Sequence, residues 1–120
     1  RKIFYTGDGG YDKHFVEIGK KYGPFDWALM ENGQYDAAWR SVHCHPDEVA
    51  QATEELQARN MLPVHHSKFS LAKHPWNEPI NRIVRYSKQR NYRLATPMIG
   101  ELVELDNEQQ SFKQWWANIR

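Results

Sequence analysis

The chain has one cysteine, Cys44, among its 120 residues, so no disulfide can form within it, and a reducing, cytoplasmic location is expected. It lacks any apolar run near the ~20 residues needed to span a bilayer as a helix. No signal-peptide pattern is visible. There is little net charge: the formal total is +1, with 7 basic and 10 acidic residues over 1–60 and 9 and 5 over 61–120. A nucleic-acid partner is therefore not expected from bulk electrostatics. Internal repeats, low-complexity runs and linkers are also missing, which argues for a single unit over residues 1–120. What is present is enough apolar material for a modest core, 40% of residues.

The chain is organised around Ile3-Phe4-Tyr5-Thr6-Gly7-Asp8-Gly9-Gly10-Tyr11. Four β-branched or aromatic residues read as a short strand. Three glycines then permit a sharp turn that leaves Asp8 with little bulk around it. A carboxylate at a strand end suits a metal ion or general-base chemistry. It equally suits a turn in which the Asp bonds its own backbone.

After Asp12, a plausible N-cap, Phe15, Ile18 and Tyr22 give one apolar helical face. Gly23-Pro24 stops that helix. A second strand follows at 27–30, then a polar loop over 31–36, and Ala37 to Val42 could form a short helical turn. Pro46, Asp47 and Glu48 open a helix expected to run to about Arg59. Met61 to Val64 reads as a third strand, and Asn77-Glu78-Pro79 as the start of a third helix. Arg82, Arg85, Lys88 and Arg90 read as its solvated face. Strands are expected over 92–94 and 99–105, the latter from its alternation. Phe112, Trp115 and Trp116 suit packing. The pattern β-α-β-α-β-α-β defines an α/β layered sheet.

In an open parallel sheet, the loops beyond the carboxyl ends of the strands share one rim. That rule brings Asp8, Glu31, His43 and His65 towards a common edge, although they are far apart in sequence. Carboxylate and imidazole are metal-ligand types. His43 and His45 could add to the ligand count, or His45 could cap the helix it precedes. Gly7-Asp8-Gly9-Gly10 lacks the Lys-Ser/Thr of a phosphate loop and the spacing of a dinucleotide fingerprint. Cys44 has no strand-turn-helix elbow, so a buried or incidental thiol is expected rather than a nucleophile.

At these residues the chain resembles the C-terminal half of metallo-β-lactamase-fold hydrolases, in the branch typified by N-acyl-phosphatidylethanolamine phospholipase D. The resemblance spans about residues 3–105. It is carried by Phe4 to Tyr11, Ile18 to Asp26, His43 with Pro46-Asp47-Glu48, Val64-His65 with Phe69-Ser70-Leu71-Ala72, and Glu78-Pro79. It implies the αβ half of an αββα sandwich, with helices on one face of the sheet. It implies a dinuclear centre, usually zinc, in which Asp8 bridges the metals and His65, not His66, ligates one. His43 would lie on the substrate side. The family's His-X-His-X-Asp-His motif is not among these residues, so an N-terminal half is expected from elsewhere, as part of a longer protein or as a second chain. The abrupt start at Arg1-Lys2 fits that expectation.

Three functions follow from these observations. The first is a metal-dependent hydrolase of phosphodiester or other ester-like bonds, with a small-molecule or lipid-like substrate, the isolated chain being inactive. The second is a non-catalytic α/β module that self-associates through an exposed sheet face. The third is a sugar-phosphate lactonase of a related branch.

Overall fold

The computed structural model describes residues 1–7, 10–32, 44–64 and 75–118. Within them the chain forms β1 (Ile3–Tyr5), α1 (His14–Tyr22), β2 (Phe25–Glu31), α2 (Pro46–Glu55), β3 (Ala58–Val64), α3 (Glu78–Ser87) and β4 (Arg93–Leu94), with a 3-10 turn at Trp115–Asn118. The strands lie in sequence order, β1-β2-β3-β4, and every neighbouring pair is parallel. The expected βα alternation and the α/β class are thus observed.

Register sorts the side chains into two faces, because successive strand residues point to opposite sides. Phe4, Ala28, Met61 and Leu94 are aligned across the four strands. They form one core with Phe15 of α1, Val49 and Ala52 of α2 and Ile83 of α3. This is the helix-covered face. The next row, Ile3, Trp27, Asn60 and Arg93, points the other way. There the Arg93 guanidinium stacks on the Trp27 ring, 5.6 Å from its centroid. Its Nε donates to Asn60 Oδ1 at 2.9 Å.

The C-terminal segment folds over this second row. Trp27 Nε1 donates to the Leu105 carbonyl at 3.0 Å. Arg93 Nη1 donates to the carbonyls of Glu108 and Gln110 at 3.2 and 2.7 Å. Arg1 pairs with Asp106. Trp27 is fully buried as a result. Replacing it with Ala should cost about 3–5 kcal/mol, the usual range for deleting a buried Trp. The urea midpoint should fall accordingly, and protease should cut first within 101–112. A midpoint equal to the native one would show that the segment holds itself down without Trp27.

Four expectations are corrected. The strand expected at 99–105 is absent. Its alternation reflects a segment pinned by side chains from the second face, with Leu102 77% exposed and Gly100 in a left-handed turn. Helix α2 stops at Glu55, short of Arg59, because Gln57 adopts φ 59° and turns the chain straight into β3. Asn60, next to the expected helix end at Arg59, is therefore a buried strand residue whose Nδ2 donates to the Asp26 carbonyl at 2.8 Å. The N-cap of α1 is Lys13 rather than Asp12, and Asp12 Oδ1 accepts the Lys13 N–H at 2.7 Å. On α3, Arg85 and Lys88 are solvated as expected. Arg82 lies over the Tyr86 ring, and Arg90 pairs with Glu54 at 3.0 Å.

Candidate metal centre

The helix order places the start of each of α1, α2 and α3 beyond the carboxyl end of the preceding strand, so one rim carries all the strand-to-helix connections. Asp8, His43 and His65 lie outside the described residues, as do His66 and the turn expected at 37–42. The residues bonded to the three candidates, Gly7, Cys44 and Val64, are described.

Gly7 has φ +61°. An L side chain strains there, so the turn before Asp8 depends on glycine. Thr6 fixes it from the other side. The Thr6 hydroxyl donates to the Gly7 carbonyl at 3.0 Å and accepts the Glu31 N–H at 2.9 Å. The end of β1 is thereby tied to the end of β2.

The polar loop expected from Glu31 onward begins later than that. Glu31 is the last residue of β2 and 2% exposed, and Asn32 is fully buried. Glu31 pairs with Val64 across the ladder, and Asn32 N–H donates to the Val64 carbonyl at 2.9 Å. Asn32 Nδ2 donates to the Pro79 carbonyl at 2.9 Å. A carbonyl only accepts, so this bond fixes the amide orientation and turns Oδ1 away from Pro79. Among the described residues that buried Oδ1 has no hydrogen-bond partner. Sequence reasoning placed Glu31 on the rim and missed Asn32. The available signal was two polar residues directly after an apolar parallel strand, where a site gathers.

Two further candidates are settled. His45 is the N-cap of α2, and its N–H donates to Glu48 Oε1 at 3.0 Å within a capping box. This is the capping alternative to ligation. Cys44 is 2% exposed, and burial first, then the charges of Glu48 and Glu31, push its thiol up to about 12. The thiolate that a nucleophile needs is scarce at neutral pH. Behind the rim, the Tyr11 hydroxyl bridges both Glu55 oxygens at 2.8 Å. Burial and then this bond raise the phenol to about 12.

Among the described residues no three His, Cys, Asp or Glu side chains cluster as a complete ligand set. The donors present nevertheless fit a cation. Consecutive residues at the end of β2 bring a buried carboxylate, Glu31, and a buried carbonyl oxygen, Asn32 Oδ1, that is unpartnered among the described residues, and both groups stabilise positive charge. Among the described residues no helix is long and apolar enough to cross a membrane.

A family profile described as "Beta-lactamase superfamily domain" matches residues 1–66. An uncharacterized protein of Mycobacterium tuberculosis is 33% identical over 118 residues, covering 96% of this chain and 32% of that protein. The outer membrane protein RomA of Klebsiella pneumoniae is 55% identical over 65 residues, 54% of this chain and 49% of RomA. The N-acyl-phosphatidylethanolamine-hydrolyzing phospholipase D 1 of Caenorhabditis elegans is 35% identical over 74 residues, 59% of this chain and 21% of that enzyme. Among solved structures, Igni18, a metallo hydrolase of the archaeon Ignicoccus hospitalis, superposes with a TM-score of 0.58 at 20% identity, over 83% of this chain and 40% of Igni18. The chain belongs to the metallo-β-lactamase-fold superfamily. It spans about a third of the length of the mycobacterial relative.

Proposed function

We propose that this chain supplies the C-terminal αβ half of a metal-dependent hydrolase that cleaves a phosphodiester or another ester-like bond. The observation carrying the reading is the convergence at the rim. The ends of β1, β2 and β3 are tied together through Thr6, Glu31 and Val64, and the family match over residues 1–66 takes in Asp8, His43 and His65. Asp8 and His65 would hold the metal, in the complete protein a pair of zinc ions. His43 would face the substrate.

Bound metal would supply Lewis-acid polarisation of the scissile group and an activated water. The residues of this chain supply the frame. The Gly7 turn would present Asp8 to the metal, and Glu31 and Asn32 add negative and acceptor character in a water-poor setting. The remaining ligands would come from an N-terminal half packed against the edge strand β1, which the C-terminal segment leaves uncovered at Ile3 and Tyr5. Ile3 and Tyr5, 49% and 65% exposed, offer apolar surface there. The named phospholipase D relative supports a lipid-like substrate.

The test uses the full natural chain that carries these residues and a chromogenic phosphodiester. Turnover should stop when a chelator strips the protein and return when zinc is restored. Undiminished turnover by metal-free protein would overturn the reading.

A further inference from the structure

The outer face of α3 ends in a hollow that the proposed hydrolysis does not use. Arg85, Tyr86, Lys88, Gln89 and Arg90 line it from the end of α3 and the turn beyond, and Glu54 lines it from α2. Its volume is about 530 Å³, a size that suits a small molecule. Helix α3 starts at the rim, and its ten residues span about 15 Å. The hollow therefore lies at the far end of the helix layer from the candidate metal centre.

Its charges are unbalanced, three cations to one carboxylate. That carboxylate is already engaged: Glu54 Oε2 accepts from Arg90 Nη1 at 3.0 Å and Oε1 from the Asn91 N–H at 3.4 Å. Arg90 Nη1 also donates to Gln51 Oε1 at 3.0 Å. Among the described residues these bonds use Nη1 alone, so they orient the guanidinium and leave its Nε and Nη2 hydrogens available. Arg85 lies over the Tyr86 ring, 5.4 Å from its centroid. The bond from Arg82 to the Tyr86 hydroxyl at 3.3 Å is the main cause holding that phenol below its usual range, with Arg85 adding to it. Lys88 is exposed three residues beyond Arg85, on the same side of the helix. Among the described residues no carboxylate pairs with Arg85 or Lys88. The helix dipole accounts for cations at a C-terminus. It does not account for one guanidinium anchored to the neighbouring helix and a second laid on an aromatic ring around the same concavity.

We infer that this hollow binds a phosphate group carried by a small soluble molecule, Arg85 and Arg90 donating to its oxygens and Lys88 adding charge. A guanidinium offers paired donors that match two phosphate oxygens. A soluble carrier fits better than a lipid headgroup, because the large exposed apolar side chains, such as Ile99 and Leu102, lie on other segments and none lines the hollow. The inference stands independently of the metal centre.

The probe is inorganic phosphate, titrated calorimetrically into the full natural chain. Saturable binding is expected, and the double variant Arg85→Gln, Lys88→Gln should weaken it by about tenfold or more, since charge-assisted hydrogen bonds are lost. Phosphate held at a metal centre would survive that change. Lys20 and Lys21 supply the same charge at the end of α1, so Lys20→Gln, Lys21→Gln is the matched control and should bind as the native protein does. Both pairs are exposed, and thermal midpoints close to native separate a lost ligand from a lost fold. Absence of saturable binding, binding unchanged in the Arg85, Lys88 variant, or equal weakening in both double variants overturns the inference. Co-sedimentation with phosphatidylcholine vesicles, with and without phosphatidic acid, tests the carrier. Retention on the phosphatidic acid vesicles without saturable binding of free phosphate overturns the assignment to a soluble ligand.

Discussion

An alanine at Gly19 should lower the thermal midpoint by roughly 10 °C, about 2 kcal/mol for a domain of this size. Gly19 lies inside α1 and is buried. A Cβ built there would meet the Glu55 carbonyl oxygen at 2.0 Å and the Leu56 Cα at 3.0 Å. Both are backbone atoms at the end of α2, so no rotamer change relieves the overlap. Alanine is the better helix former, by about 1 kcal/mol over glycine. Overpacking a tight contact costs about 1–3 kcal/mol and sometimes more, and at 2.0 Å the upper end applies. The clash therefore outweighs the gain. Relief requires α1 to lift from α2, which also strains the Tyr11–Glu55 bridge and the 3.3 Å bond from Gln57 Nε2 to the Gly19 carbonyl. Thermal unfolding followed by circular dichroism decides the matter. A midpoint equal to or above native would show that the two helices slide apart without loss.

That contact also shows where the sequence speaks and where it does not. The elements up to β3 were legible because each carries its own signal: β-branched or aromatic runs for β1 and β2, helical spacing at Phe15, Ile18 and Tyr22, and Pro46-Asp47-Glu48 opening α2. The end of α2 was not legible. Gln57 has no intrinsic preference for the left-handed region, and tertiary contacts force it there. The C-terminal segment misled for a related reason. Alternation over 99–105 is a strand signal only if a partner strand exists, and the groups that hold the segment are side chains some 78 residues away in the case of Trp27 and Leu105. No local periodicity reports such a contact.

The candidate site was legible as a topology. Parallel strands bring their carboxyl ends together, and that rule alone led to the expectation that Asp8, Glu31, His43 and His65 share one edge; of the four, Glu31 lies among the described residues, at the end of β2. Residue type did not reveal burial: the run from Glu31 reads as a solvated loop, yet its first two residues are sealed from solvent. The same limit applied to His45, where a ligand pair and a helix cap share one spelling. In the structure the His45 side chain accepts the Glu48 N–H within the capping box.

Asp8→Ala should remove the bound metal and lower phosphodiester turnover by roughly a thousandfold or more, the equivalent of about 4 kcal/mol of transition-state stabilisation. Gly7 holds φ +61° and Thr6 locks its carbonyl, so the backbone presenting Asp8 is set by residues the substitution leaves intact. A change from Asp to Ala at the residue after Gly7 removes a carboxylate and leaves Thr6 and Gly7 in place. Stability should thus stay close to native while metal is lost, and this separation distinguishes a ligand from a turn Asp that bonds its own backbone. His65→Ala should behave as Asp8→Ala does, and His66→Ala should retain metal, since only His65 follows β3 directly. Elemental mass spectrometry of the full natural chain and its three variants, read beside thermal midpoints, gives the answer. Equal metal in all four proteins would place the centre elsewhere in the fold. Loss of stability without loss of metal in Asp8→Ala would assign Asp8 to the turn alone.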